Sequence, residues 1–514
     1  MISKKQLVVL CTFAALCMLA GDAQCEQQAA KGAGGGKAGV TAAVSANNSF
    51  ALDLYAKLSA ENSGENVFFS PFSVINALTM VAEGARDYTA KEMRQVLHLP
   101  EDLVGIHRGL ANLGLRYNPQ KDTPEVLKTK EAISAQQKAL EDIKAEIAGL
   151  RKQKKWREAG EAIKRQREGN ERLKQLLKQI DPTEITVANA LWGEKSYPFR
   201  QGYLDKISGL YKTGSVRQSD FKGNFDAERL KINGWAEKQT REKIKDLLPA
   251  GSLDRYTRLV LVNAIYFKGE WVSPFKKSDT RNEPFTGSDG SKADVPLMRR
   301  QNMEDVRYGA FKPNGSFFNT PMRVSMRGKA PVTDGGPNGF SMIELPYRGG
   351  KLAMVVIAPN RPSGLAAVEK QLTSKALAGW LEKLRKRKVH VFVPRFRSET
   401  SYKLNEMLQA MGMPSAFKDP RFPGGAKFGG MTTSTDPMQQ LYIALVQHKA
   451  FVDVDEEGTE AAAATAVAMA VPTSMPMDRP FTPTFRADRP FFYCIRDIET
   501  GCILFAGRVV KPGA

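Results

Sequence analysis

Residues 453–489 constrain most strongly what this chain can fold into. The stretch opens on Asp455-Glu456-Glu457 and passes Gly458-Thr459-Glu460. It then runs through Ala461, Ala462, Ala463, Ala464, Thr465, Ala466, Val467 and Ala468 before meeting Pro472, Pro476, Pro480 and Pro483. Alanine has the best intrinsic helix propensity, but a helix here has no large apolar face to bury, and the prolines bar its continuation. A run of small side chains can instead slide between two existing strands with nothing bulky to accommodate. The segment suits two states, an exposed loop and a central strand.

The rest of the chain supplies the sheet and helices such a segment needs. Ala51, Leu54, Tyr55 and Leu58 share one helical face, as do Val74, Leu78 and Val81, and Ser70-Pro71-Phe72-Ser73 before the second run is a helix-start signal. Strand-like runs recur at Leu259 to Phe267, Leu352 to Ile357, Val389 to Val393, Phe491 to Ile495 and Ile503 to Val510. They interleave with helices without a regular βαβ repeat, which predicts an α+β fold with largely antiparallel sheets.

Two segments stand apart. The N-terminus has Lys4 and Lys5, the apolar run Leu7 to Leu19, and small residues at Ala20, Gly21 and Ala23. This reads as an export signal over residues 1–23, cleaved near Ala23, with a Gly/Ala-rich flexible linker over residues 24–46. No later segment reaches the roughly 18 apolar residues of a membrane span, so a secreted protein, extracellular or periplasmic, is expected. Residues 121–180 are Gln/Glu/Lys/Arg-rich and nearly free of aromatics. Leu140, Ile143, Ile147 and Leu150 form a short seam, and Ile163, Leu173, Leu176, Leu177 and Ile180 supply a second helix. The reading is an inserted helical hairpin or coiled coil within a domain spanning 47–514, weakened at Gly160 and Gly169.

The formal charge of +20 is consistent with a polyanion partner or with mere solubility. It clusters in the insert, at Arg151, Lys152, Lys154, Lys155 and Arg157 and at Lys164, Arg165 and Arg167. These are candidate polyanion-binding residues, the alternative being a solvated helix face. Of the five cysteines, Cys494 and Cys502 flank a turn-forming sequence, Asp497-Ile498-Glu499-Thr500-Gly501, and either face each other across a hairpin or stay buried and unpaired. Asn47-Asn48-Ser49 and Asn314-Gly315-Ser316 match the N-glycosylation pattern. The sequence lacks paired histidines at metal-binding spacing, Cys-x-x-Cys, Gly-x-Ser-x-Gly and a phosphate-cradling Gly loop. No enzyme activity, cofactor or metal is expected.

Ordered motifs along the chain resemble the serpin family. They are Asn66-Val67-Phe68-Phe69-Ser70-Pro71-Phe72-Ser73-Val74, Ala188-Asn189-Ala190-Leu191-Trp192-Gly193 and Val262-Asn263-Ala264-Ile265-Tyr266-Phe267-Lys268-Gly269-Glu270-Trp271. Further on come Phe340 to Tyr347, Val393-Pro394-Arg395-Phe396, Arg489-Pro490-Phe491-Phe492 and Ile503 to Val509. The resemblance covers nearly all of Asn47 to Pro512 except the helical insert and a second insert near Thr320 to Pro337. It implies a large, mostly antiparallel central sheet, flanking helices, smaller sheets and an exposed reactive-centre loop that a protease cleaves and that then inserts into the sheet.

By that resemblance, the hinge is Glu457, Gly458, Thr459, Glu460, Ala461, Ala462, Ala463 and Ala464, and Ser70, Ser73, Asn263 and His448 form a polar cluster beneath the sheet opening, with Trp271 at its top. Thr459 to Ala470 is long enough for a strand of roughly 40 Å. The scissile bond is ambiguous, because counting from Gly458 reaches Pro472-Thr473 and counting back from Pro490 reaches Arg479-Pro480. Proline disfavours both bonds, so Thr473-Ser474 is preferred, with Met477-Asp478 second. Small residues there imply an elastase-like or subtilisin-like serine protease, with cysteine proteases a further class, and the basic insert suggests a sulfated glycan or other polyanion. A non-inhibitory binding or chaperone role is the alternative.

Overall fold

A computed structural model describes residues 36–117, 124–177, 183–211, 215–320, 323–325, 334–459 and 478–513. The export-signal reading at residues 1–23 lies outside them. The first helix, α1, covers residues 36–61. It is followed by α2 (Pro71–Gly84), α3 (Asp87–Val96), α4 (Leu103–Tyr117), α5 (Pro124–Lys152) and α6 (Trp156–Leu177).

The expected flexible linker is corrected over residues 36–46, which belong to α1, and its residues 24–35 lie outside the described residues. Its small residues form a close-packing face: a Cβ on Gly109 of α4 would lie 2.1 Å from the Gly39 carbonyl oxygen, and one on Gly39 would lie 2.5 Å from that of Gly105. Gly and Ala let the two backbones approach, and Ala43, Ala46, Phe50, Leu54 and Leu58 continue the buried stripe. The same composition would serve a linker, and only the partner helix distinguishes the two.

Helix α2 starts as its sequence dictates. Ser70 is extended and its hydroxyl accepts from the Ser73 N–H at 3.1 Å, while Pro71 fills the first turn, where no N–H is needed. Every residue of α2 except Glu83 is buried. A helix apolar on nearly all sides belongs in the interior, and α2 packs against the strands of two sheets.

One sheet has six strands in the order β14-β15-β16-β4-β2-β3. They are β2 (Glu184–Glu194), β3 (Ser215–Ser219), β4 (Leu259–Glu270), β14 (Phe396–Lys403), β15 (Ile443–Val454) and β16 (Gly458–Thr459). Along β4, Leu259, Leu261, Ile265 and Phe267 join the main core, and Val260, Val262, Ala264 and Tyr266 join a second core on the opposite face. This two-residue alternation buries the strand on both sides.

A second sheet runs β1-β20-β19-β11-β10-β7-β12, with β8 paired to β7. Its strands are β1 (Val67–Phe69), β7 (Arg307–Phe311), β8 (Phe317–Phe318), β10 (Phe340–Pro346), β11 (Leu352–Pro359), β12 (Arg385–Lys386), β19 (Phe491–Asp497) and β20 (Ile503–Val509). A third, β18-β13-β6-β5, comprises β5 (Arg281–Thr286), β6 (Lys292–Met303), β13 (Val389–Pro394) and β18 (Thr484–Arg486). A last pair joins β9 (Arg323–Ser325) to β17 (Asp478–Pro480). The mixed α+β architecture matches the expectation.

Helices α5 and α6 pack chiefly against each other. Ile147 is buried while Leu140, Ile143 and Leu150 are half-buried, and they face Ala159, Ala162, Ile163 and Leu173. Gly169 does not interrupt α6. It makes room for Leu140, whose Cδ2 would lie 2.9 Å from an added Cβ.

Cys494 and Cys502 are free and buried. The β19–β20 register pairs Cys494 with Ala506, and Cys502 lies nearer the turn, so the two do not oppose each other. The buried-thiol reading holds, and burial pushes the Cys494 thiol up to about 12. Asn47, the first glycosylation candidate, is buried with its amide on the Ile503 carbonyl, and Asn314 is exposed.

Two outcomes are expected. Gly109→Val should destabilise the fold by about 1–3 kcal/mol through overpacking against α1, read as a lower denaturation midpoint. Cys494 and Cys502 should stay inert to a thiol reagent in native buffer and react only in denaturant, and rapid native labelling of either would refute their burial.

Candidate functional site

The six-stranded sheet carries its most informative feature at one end. Strands β4 and β15 run parallel and pair directly from Leu259 with Ile443 to Tyr266 with Phe451. Beyond that point they are separated by the two-residue strand β16. Gly458 pairs with Glu270, and Thr459 pairs with Gly269 on one side and Val454 on the other, both antiparallel. Gly458 and Thr459, two residues of the hinge predicted from sequence, therefore lie between the strands at the top of the sheet.

Each residue there has a steric or polar reason. A Cβ at Gly458 would lie 2.0 Å from the Gly269 carbonyl oxygen, so only glycine fits between the strands. Thr459 is fully buried, and its hydroxyl lies 2.8 Å from the Tyr347 hydroxyl. Tyr347 stacks on Trp271 at 4.4 Å between ring centroids. Trp271 donates its indole N–H to the Asp455 carbonyl at 3.0 Å, and its backbone N–H to that of Glu457 at 2.9 Å. Thr280 donates to Glu456 at 2.6 Å, and Lys277 pairs with Glu457 at 2.9 Å. Burial holds the Asp455 carboxyl above its ordinary range, although the Glu457 and Gly458 N–H groups oppose the shift.

The expected polar cluster lies lower in the same sheet. Asn263 of β4 sits directly beside His448 of β15 and, on its other side, Asn189 of β2, so the three form one cross-strand row. The row meets the start of α2. The Ser70 N–H donates to His448 Nε2 at 3.0 Å, Ser70 Oγ donates to the Leu504 carbonyl at 2.7 Å, and Ser73 Oγ donates to Asn189 Oδ1 at 2.5 Å. Asn263 Oδ1 is 3.2 Å from Ser73 Oγ.

Sequence reasoning named Ser70, Ser73, Asn263 and His448 but missed Asn189, which also donates to the Ser73 carbonyl at 3.0 Å. The signal was the shared context Asn-Ala-Leu at 189–191 and Asn-Ala-Ile at 263–265, one asparagine at the same place in two neighbouring strands. Two atoms of the row, Asn263 Nδ2 and His448 Nδ1, are buried without a hydrogen-bond partner among the described residues. Such groups each forfeit free energy.

The distal arm of the loop returns as β17, where Asp478, Arg479 and Pro480 pair with Ser325, Val324 and Arg323 of β9. Strand β9 lies within the stretch Thr320 to Pro337 singled out from the sequence. The loop is thus anchored at Thr459 and again at Asp478. Glu460, Ala461, Ala462, Ala463, Ala464, Thr473, Ser474 and Met477 lie outside the described residues.

This arrangement of a sheet parted by the root of a small-residue loop agrees with an independent comparison. Residues 45–512 match the family model described as Serpin (serine protease inhibitor). The chain is a serpin. Human Serpin B4 is 35% identical over 471 residues, covering 91% of this chain and 98% of the relative. A leukocyte elastase inhibitor from Xenopus tropicalis is 32% identical over 474 residues, covering 91% and 99%. Among solved structures, uncleaved ovalbumin shares the fold with a TM-score of 0.65 at 24% identity, covering 92% of this chain and all of ovalbumin.

The basic residues fall into two groups in this serpin. Arg151, Lys152, Lys154, Lys155 and Arg157 surround the hairpin tip, while Lys164, Arg165 and Arg167 lie further along α6, where Arg165 pairs with Glu146 at 2.6 Å. The structure does not merge them into one face. Among the described residues, no group of three or more His, Cys, Asp or Glu could hold a metal, and no helix is long and apolar enough to cross a membrane.

Burial lowers the His448 pKa to about 3, so the imidazole is neutral at ordinary pH and keeps Nε2 free to accept from Ser70. An unfolded histidine titrates near 6.5, so its stabilising contribution is complete above that pH and is lost as pH falls from about 6.5 towards 3. The denaturation midpoint should therefore drop through this window, and His448→Gln should flatten that part of the profile. An unchanged slope in the variant would assign the acid sensitivity elsewhere.

Proposed function

We propose that this serpin is a secreted suicide inhibitor of serine proteases, with cysteine proteases a further target class. The observation that carries the reading is the seating of Gly458 and Thr459 between β4 and β15, which primes the sheet to accept more of the same loop.

The register makes the reading specific. Thr459 faces Gly269 and Val454, and each further loop residue moves one step back along both neighbours. Continued insertion would place Thr465 opposite Asn263 and His448 together. Thr465 is the one polar residue between Glu460 and Thr473, and its hydroxyl would arrive beside the two unpartnered atoms of the row. Ala461 and Ala463 would precede it on the inner face without steric cost.

In the proposed reaction, the protease serine attacks the Thr473 carbonyl and expels the Ser474 amine, leaving an ester between protease and Thr473. Insertion of residues 460–470 then competes with ester hydrolysis and carries the protease away from its docking position. The serpin is consumed rather than turned over. Thr473-Ser474 is preferred because Asp478–Pro480 are committed to β9, and a protease needs free, extended backbone on both sides of its bond. Met477-Asp478 would abut that pairing. Small residues at the preferred bond favour an elastase-like or subtilisin-like target.

Mixing the protein with elastase-, subtilisin-, chymotrypsin- and trypsin-like proteases tests this directly. A complex stable to denaturing electrophoresis and a released peptide beginning at Ser474 are expected. Clean cleavage by every protease with no complex would sink the inhibitor reading in favour of a non-inhibitory role. Thr459→Arg, which puts a charge into a fully buried site, should convert the inhibitor into a substrate. Thr465→Val should leave the uncleaved protein unchanged but cost the cleaved form about 1–3 kcal/mol by leaving the polar row unsatisfied.

A further inference from the structure

The hairpin of α5 and α6 ends in a turn over residues 153–155, and this tip differs in chemistry from the rest of the arm. At 1.5 Å per residue the 29 residues of α5 make an arm of roughly 43 Å. Between Ile147 and Arg157 the chain carries Arg151, Lys152, Lys154, Lys155 and Arg157 with no acidic residue. All five are exposed. Lys155 lies 3.6 Å from Glu158, and Arg157 lies 4.0 Å from Glu161. The other three have no ion pair among the described residues.

At their centre is Trp156, the first residue of α6, which is 67% exposed. The remaining four tryptophans of the protein are buried or half-buried. Lys154 adopts φ +58°, in the left-handed region where glycine is easiest to place. The Lys155 N–H returns to the Leu150 carbonyl at 3.0 Å and the Lys154 N–H to that of Arg151 at 3.1 Å, so the turn is closed by its own backbone. A lysine therefore occupies the position at which a turn of this kind usually places glycine.

We propose that the hairpin tip is a docking element for an anionic lipid surface, with Trp156 entering the headgroup layer and Arg151, Lys152 and Lys154 contacting lipid phosphates. Exposed tryptophan surrounded by cations suits the membrane interface, where an amphipathic ring is half solvated and basic residues meet anionic headgroups. The shape agrees. A turn at the end of a two-helix arm can meet a plane end-on, whereas a linear polyanion is better held along a continuous row. Here the second basic group is set apart along α6, with Arg165 already paired to Glu146.

The test is co-sedimentation of protein spanning residues 24–514 with phosphatidylcholine vesicles prepared with and without phosphatidylglycerol. The protein should sediment only with the anionic vesicles. R151A/K152A/K154A should weaken binding about a hundredfold, at roughly fivefold per cation. W156A should weaken it several-fold at unchanged charge, and should remove a blue shift in tryptophan emission that accompanies vesicle addition. All these residues are exposed, so the variants should keep the wild-type melting temperature. No sedimentation with anionic vesicles would overturn the proposal. So would equal binding by W156A, or heparin-agarose retention that depends on the same three cations without vesicle binding, which would assign the tip to a sulfated glycan.

Discussion

The direct parallel pairing of β4 with β15 is the interaction on which the rest of the structure depends. Both strands are buried on two faces, and both continue past the last residues they share. At their upper ends Gly458 and Thr459 lie between them. The residues next in the chain are the small ones from Ala461 to Ala464.

Two features hold the closed state. At the top, Trp271, Tyr347 and the buried acidic turn at 455–457 fix the entry of the loop through backbone and hydroxyl contacts. In the middle, the row of Asn189, Asn263 and His448 ties three strands to the first turn of α2, leaving two donors without a partner among the described residues. At the top, Glu456 Oε2 is likewise buried without a hydrogen-bond partner among the described residues.

Much of this was legible along the chain. Ser70-Pro71 marks the start of α2 because capping and proline placement act locally, and the strand runs at 259–267, 352–357, 491–495 and 503–509 carry β-branched and aromatic residues that bury on both faces, while 389–393 buries alternate residues. The linker reading failed for a physical reason. Gly39 and Ala43 look flexible until α4 is placed against them, since small residues serve either mobility or close approach. Asn189 was missed because its role comes from lying beside Asn263, and cross-strand neighbours are distant in sequence.

The class of fold, the pair of helices with its basic clusters and the run of small residues after Glu460 could be read along the chain, because composition and periodicity are properties of neighbours in sequence. Packing was needed to show that Gly458 and Thr459 sit between β4 and β15, that Asp478–Pro480 pair with β9, that Cys494 and Cys502 do not face each other, and that Trp156 stands exposed among cations. Each of those depends on register or packing between segments far apart in the chain, and register is set by the whole sheet rather than by the residues that display it.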